Sequence, residues 1–363
     1  MRAPLPHRRV PSHGSPESSL HSGKEIDRMR DKIALEEHWE SADFPATGSH
    51  DFTCPDYFAD VQRRLREVDE RVSEMDKNDI GVSILSLTQP GIEGLTDARK
   101  AVDMARRMND HAAKKLVARH PTRLRAFAAV PLQAPEKAAE ELDRAVRDLG
   151  FVGAMVNGYS NIGDENTARY LDEPEVEPFW QRVEALGVPV YLHPRIPLPN
   201  QQRMYRGYEG LLGSAWGFGV ETATHALRLI LSGLFDRHPK LTVILGHLGE
   251  GLPFTLPRVE HRLRHQRPET QGKHQKPPTQ YLRENFYLTT SGVFRSQTLL
   301  DALLEVGSDR ILFSVDYPYE SMSELAPWFD TCPISENDRL KIGRTNAERL
   351  FRIEQKSTRR KAA

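Results

Sequence analysis

The sequence predicts an eight-stranded (β/α)8 barrel, a TIM-barrel architecture, and three observations carry that reading. Eight short apolar runs recur along the 363 residues, mostly separated by helical patterns. Most of the runs lack polar/apolar alternation, as parallel strands do when both faces are covered. Residues able to bind metal stand at the ends of runs from the first to the last. A closed barrel gathers all its strand C-termini at one mouth, whereas an open doubly wound sheet, the alternative, spreads them along a line.

The runs are Ile33–Leu35, Val82–Leu87, Ala126–Pro131, Val152–Val156, Val188–Leu192, Thr242–Leu245, Phe286–Thr290 and Ile311–Ser314. Between them, Ala138-Ala139, Leu142, Ala145-Val146 and Leu149 repeat at helical spacing, with Gly150 as the expected C-cap. A second helix is expected from Pro178 to Leu186, ending at Gly187, and a longer apolar one from Thr222 to Leu234. Two connections exceed ordinary βα loops, Trp39 to about Asp60 after strand one and Pro194 to about Gly219 after strand five. Long loops on this face shape substrate pockets or subunit contacts. The polar segment 264–280 reads as a surface excursion.

Composition sets outer limits. Formal net charge is -1. Residues 1–28 carry five Arg or Lys against three Asp or Glu, and 356–363 carry four Arg or Lys and no acid, so the body 29–355 is acidic. An acidic body is a poor nucleic-acid binder. No apolar run is long enough to span a bilayer. Cys54 and Cys332 form no disulfide framework, which fits a reduced, cytoplasmic protein. Residues 1–28 read as a disordered extension, 29–355 as one catalytic domain and 356–363 as a basic tail.

The first run ends in Glu36-Glu37-His38. Residues i and i+2 of a strand share a face, so Glu36 and His38 can grip one ion while Glu37 points away. His193 ends the fifth run, His247 the sixth and Asp316 the eighth. Two imidazoles and two carboxylates, from Glu36, His38, His193 and Asp316, suit one Zn²⁺ or Mn²⁺. The fourth run ends in Asn157, with no Lys or Glu to bridge a second ion, so a mononuclear centre is expected and Asn157 reads as a substrate or supporting hydrogen bonder. His247-Leu248-Gly249-Glu250 sets a carboxylate beside an imidazole in one tight turn, where Glu250 would fix the tautomer and raise the His pKa, unless it merely starts a helix. Arg258, two helical turns on, offers a planar fork to a carboxylate or phenolate, or forms a surface ion pair. No Gly-rich dinucleotide fingerprint follows any strand, so no organic cofactor is expected.

From Met29 to Ile353 the chain resembles the amidohydrolase-related metal-dependent decarboxylases, within them the γ-resorcylate (2,6-dihydroxybenzoate) and 2,3-dihydroxybenzoate group. The resemblance rests on Ala34 to His38, Gly150 to Ala154 through Asn157-Gly158, Tyr191 to Arg195, Ser232 to Asp236, Gly246 to Glu250, Thr289 to Gly292 and Lys341 to Arg344. It implies an amidohydrolase-like barrel with Glu36, His38, His193 and Asp316 as metal ligands and His247 with Glu250 as the acid/base pair. Arg258, Phe294 and Phe52 become substrate contacts. Ser314-Val315-Asp316-Tyr317-Pro318 departs from the Thr and Trp that the resorcylate enzymes carry beside the Asp.

The implied reaction is non-oxidative, reversible decarboxylation of an ortho-hydroxybenzoate, a small aromatic carboxylic acid. Asp316, protonated through a raised pKa, would be the proton donor to the ring, with His247 managing the phenol proton, or His247 would itself be the donor. A hydrolase or hydratase on the same barrel is the alternative. The apolar residues of 211–235 suggest a homodimer or homotetramer.

Overall fold

The computed structural model describes residues 28–45 and 53–353. Eight parallel strands follow the predicted order: β1 Lys32–Trp39, β2 Ile80–Leu87, β3 Leu124–Ala126, β4 Ala154–Asn157, β5 Val190–His193, β6 Val243–Leu245, β7 Phe286–Thr289 and β8 Ile311–Leu312. Continuous ladders join β1-β2-β3 in one sheet and β4 to β8 in another. Single parallel bridges, Ala128 with Ala154 and Leu35 with Ser314, link the two sheets at both edges. Each edge strand thus has a neighbour, which is how this architecture removes exposed strand edges.

Side chains divide between two apolar layers. Ile33, Leu35, Val82, Ile84, Phe127, Met155, Tyr191, Ile244, Tyr287 and Leu312 form an inner cluster. Their alternates, among them Ala34, Leu85, Val156, Leu192, Leu245 and Leu288, join the larger outer cluster under the helices. Burial on both faces explains why the runs do not alternate in polarity. Ala347, Phe351 and Ile353, from the end of the described chain, complete the inner cluster. The Asn346 amide there donates to the carbonyls of Ser308 (2.7 Å) and Ile311 (2.9 Å), beside the N-terminal end of β8, so this segment floors the barrel opposite the mouth.

Several expected boundaries move. The third ladder is shorter and starts earlier than Ala126–Pro131, because beyond Ala126 the chain crosses to β4, with the Ala128 amide donating to the Gly153 carbonyl at 2.8 Å. The helix before Gly150 is Pro135–Arg147 and ends at Asp148, so Gly150, at φ +71°, turns the chain toward β4 instead of capping. Helix Glu177–Leu186 does end on Gly187, at φ +61°, whose amide donates back to the Val183 carbonyl at 3.0 Å. The apolar helix spans Gly217–Leu231 and breaks at Gly233, at φ +73°, before a short turn Leu234–Arg237.

After β1 a helix Pro55–Arg66 begins inside the expected long loop. After β4 an unexpected antiparallel hairpin pairs Ser160–Ile162 with Asp164–Arg169. Residues 1–27 and 354–363, most of the expected extension and all of the basic tail, lie outside the described residues. Among the described residues no helix is long and apolar enough to cross a membrane.

Candidate active site

The first metal-type residues reach the mouth through a break in strand geometry. Ile33 and Leu35 point into the barrel, so strict alternation would send Glu36 and His38 outward, beneath the helices. The register instead runs Leu35 to Ile84, then Glu37 to Leu85, leaving Glu36 as an extra residue. Glu36 adopts φ +66°, a left-handed conformation that non-glycine residues seldom take. The bulge resets the parity. Glu36 and His38 face inward, as expected, and Glu37 faces outward, its Oε1 accepting from the Val315 amide at 3.1 Å.

Four side chains converge there. Glu36, His38, His193 and Asp316 each offer a ligand atom, and these atoms lie within 4.8 Å of one another. His38 Nε2 is 3.1 Å from Asp316 Oδ1, and His193 Nε2 is 3.3 Å from Glu36 Oε1. Glu36 and His38 are held from behind. The Tyr191 hydroxyl donates to Glu36 Oε2, and Thr289 Oγ1 stands 3.4 Å from the same oxygen. The His38 amide donates to the Tyr317 carbonyl at 2.7 Å, Arg71 donates to the His38 carbonyl, and Ser86 Oγ lies 3.4 Å from His38 Nδ1.

Glu36 Oε1, His38 Nε2 and Asp316 Oδ1 are buried and have no hydrogen-bond partner. Three orphaned polar atoms facing one point are what a divalent cation satisfies, and the mixed nitrogen and oxygen set suits zinc or manganese. Burial pushes Glu36 up to about 8 and holds His193 well below the usual histidine range. A cation between them offsets the first shift and takes the neutral imidazole that the second provides.

His247 to Gly251 run through five consecutive positive φ angles, 50°, 53°, 84°, 55° and 77°. This coil folds Glu250 back so that its Oε1 lies 2.8 Å from His247 Nδ1. Glu250 therefore orients the imidazole and does not merely start the following helix, Leu252–Leu263. The far nitrogen, Nε2, stands 3.6 Å from Asp316 Oδ2 and 3.9 Å from Glu36 Oε1. Gly292 packs on the ring; a Cβ there would meet His247 Cδ2 at 2.9 Å.

Burial alone would depress His247, but the charges of Glu250 and Glu36 outweigh it and hold the ring well above its ordinary pKa. Burial would raise Asp316, yet the neighbouring imidazoles of His247 and His38 bring it down to about 2. This direction is opposite to the raised pKa expected of Asp316, because two imidazoles stand beside that carboxylate.

Asn157 closes β4 in register with His193. Its Nδ2 donates to Glu93 Oε2 at 3.3 Å, and burial pushes Glu93 up to about 7 against that donation. Phe294 is half-buried beside the mouth and packs on Trp328, ring centroids 6.4 Å apart. Arg258 is exposed on Leu252–Leu263 and is not among the side chains that touch the four donors. Phe52 lies outside the described residues. The sequence reading assigned no role to Tyr191, Thr289, Ser291, Arg71 or Glu93. The signal available for Tyr191 was its position two residues before His193 on one strand, which puts both on one face.

A family model described as Amidohydrolase matches residues 57–353. The chain belongs to the amidohydrolase family. Among members of this family, it is 50% identical over 329 residues to gamma-resorcylate decarboxylase of Rhizobium sp. (strain MTP-10005), covering 90% of this chain and 99% of that protein. A 2,6-dihydroxybenzoate decarboxylase solved with 2,6-dihydroxybenzoate superposes with a TM-score of 0.85 at 50% identity, over 90% of this chain and 100% of that one. A dihydroxybenzoic acid decarboxylase from Polaromonas sp. JS666, holding manganese and the inhibitor 2-nitroresorcinol, gives 0.86 at 49% identity, over 89% of this chain and 97% of that one.

Manganese should raise the unfolding temperature of the metal-stripped protein. At a hundredfold excess over Kd the gain is about 2.7 kcal/mol. Differential scanning calorimetry should show a chelator reversing the shift and Glu36→Gln reducing it. An unchanged melting temperature at saturating manganese would contradict the ligand assignment.

Glu93 carries a pH signature. Its carboxyl titrates near 4.5 in the unfolded chain and at about 7 in the fold, so the native state holds the extra proton between these values. Its contribution to stability is full below pH 4.5 and is lost as pH rises through 7. Glu93→Gln should flatten that part of the stability profile in denaturant titrations, and an unaltered profile would refute the assignment.

Proposed function

We propose that the chain is a metal-dependent carboxy-lyase that removes CO2 from an ortho-hydroxybenzoate, with 2,6-dihydroxybenzoate as substrate and manganese as the ion. The observation that carries this reading is the four-donor cluster beside His247, whose ring is oriented by Glu250 and held above its ordinary pKa by the Glu250 and Glu36 charges. That pairing offers a cation for a carboxylate and a proton for the ring in one buried mouth. Relatives matched over nine-tenths of the chain are decarboxylases of such acids, so the hydrolase and hydratase readings are not favoured.

Glu36, His38, His193 and Asp316 hold the ion. A bound divalent ion supplies Lewis acidity, neutralising the carboxylate and the adjacent hydroxyl oxygen and fixing the ring. Glu250 keeps the imidazole's Nδ1 occupied, so the mobile proton sits at His247 Nε2. From there it passes to Asp316 Oδ2, 3.6 Å away, and on to the ring carbon that bears the carboxylate. The ring loses aromaticity. The bond to the carboxylate then breaks, its electron pair returns to the ring, and CO2 departs. One proton is consumed per turnover, and solvent returns it to His247. Phe294 lines the pocket. The steps are reversible, so high bicarbonate should drive carboxylation.

Exposed apolar residues support self-association. Met204, Tyr208, Leu211, Trp216 and Val220 lie along one stretch and Phe254 on the helix beyond, the last 80% exposed. We assign the chain to a homodimer or homotetramer, and to the cytoplasm on the strength of two unpaired cysteines. Sedimentation velocity at the mass of a monomer would overturn the assembly.

The decisive assay follows CO2 release and ultraviolet absorbance with 2,6-dihydroxybenzoate and manganese-loaded protein. Turnover should vanish on chelation, and His247→Asn should lower kcat by about 10²–10⁴. Folded, manganese-bound protein that turns over no ortho-hydroxybenzoate would overturn the reading.

A further inference from the structure

A second polar cluster stands next to the metal donors, under the loops that follow β2 and β4. Asn157 and His193 are registered partners on parallel neighbours, so their side chains share the interior face. The Asn157 Nδ2 donates to Glu93 Oε2 at 3.3 Å and lies 3.5 Å from the Leu87 carbonyl. The Leu87 carbonyl can only accept, so the NH2 end of the amide faces it and Glu93 Oε2, and the carbonyl end is fixed on the opposite side.

Two oxygens in this corner have no partner, Asn157 Oδ1 and Glu93 Oε1. Their residues are 2% and 1% exposed. Buried polar oxygens are costly to leave unmet, and Asn157 Oδ1 can only accept, so it points to a ligand that brings a donor. The corner is built rigidly. Arg195 Nη1 donates to the backbone carbonyls of Glu93 (3.2 Å) and Tyr159 (2.7 Å), and its guanidinium stacks 4.2 Å over the Tyr159 ring. Gly91, at φ +58°, packs onto the Glu93–Asn157 bond, where a Cβ would come within 2.6 Å of Asn157 Nδ2 and 2.7 Å of Glu93 Oε2.

We propose that Glu93 is a positioning residue for substrate recognition. It locks the Asn157 amide so that the carbonyl oxygen is presented as an acceptor, and this corner takes a second hydroxyl of the aromatic ring. The inference rests on the reading of the site as one for a hydroxybenzoate. It adds the group that distinguishes a dihydroxylated ring from a monohydroxylated one. Metal-facing residues cannot make that distinction, since both rings offer them the same carboxylate and adjacent oxygen.

The test is equilibrium binding of 2-nitroresorcinol and 2-nitrophenol, which differ by one hydroxyl, to manganese-loaded protein. The wild type should prefer 2-nitroresorcinol by about tenfold or more, the worth of one well-placed hydrogen bond. Glu93→Ala should cut the preference to within about threefold while leaving 2-nitrophenol binding and manganese content unchanged, and Asn157→Leu should do the same without further loss in the double variant. Glu93→Gln should keep the preference, because its carbonyl still accepts from Asn157 Nδ2. If Glu93→Ala does not fold, Asn157→Leu gives the same reading.

A preference intact in either Glu93→Ala or Asn157→Leu, equal weakening of both ligands, or no preference in the wild type would each overturn the proposal. Absent preference alongside turnover sinks this inference alone. Preference without turnover sinks only the decarboxylase reading. Binding of neither ligand sinks both.

Discussion

The site depends on one inserted residue in the first strand. Without the bulge at Glu36, the parity that buries Ile33 and Leu35 inside the barrel would turn Glu36 and His38 into the apolar layer under the helices. Two of the four metal donors would be lost, and a carboxylate would be stranded there. The left-handed residue costs about 1–2 kcal/mol. The same solution recurs around the mouth: of the eight described non-glycine residues at positive φ, five are Glu36, His247, Leu248, Glu250 and Asp316. Strained backbone is concentrated where side chains must be aimed against the regular pleat.

Holding two carboxylates and two imidazoles together poses an electrostatic problem, and the fold solves it without filling the centre. Glu36 is held from behind by Tyr191 and Thr289, which are neutral, and Thr289 leans on Ser291 at 2.9 Å. Arg71 is the nearby cation, yet it bonds the His38 carbonyl from outside the barrel and leaves the imidazole free. Among the described residues no lysine or arginine hydrogen-bonds to any of the four donor side chains. Beyond the His247 ring, the positive charge these groups need is left to a bound cation. Glu36, His38 and His193 sit on strands and Asp316 just beyond β8, so the donors' positions are set before the ion arrives.

The barrel was legible because apolar runs, helical periodicity and polar run-ends all agree on it. Three of the four ligands stand at run-ends, where a polar residue after a hydrophobic stretch is conspicuous. Other features leave no such mark. A bulge is a matter of backbone dihedrals, and Glu36 in a left-handed conformation reads like any glutamate. Tyr191 and Thr289 hide inside their runs because both are ordinary strand residues. The pKa of Asp316 turns on contacts of 3–4 Å between elements far apart in sequence, whereas the raised value expected of it followed only from the implied reaction. The 160–169 hairpin resembles a loop because Asn161, Gly163, Asp164 and Asn166 dominate it.

The floor of the barrel has a bearing on how a ribosome makes this protein. Phe351 and Ile353 reach back to the interior residues of β1 to β8, and Leu35 meets Ser314 across the final seam. Both closures exist only once the chain has been made as far as Ile353. A nascent chain holding only the first strands presents an unsealed apolar interior and a bare strand edge. The last turn of helix therefore seals the interior, because only a chain that extends through Ile353 can shut its barrel away from its neighbours.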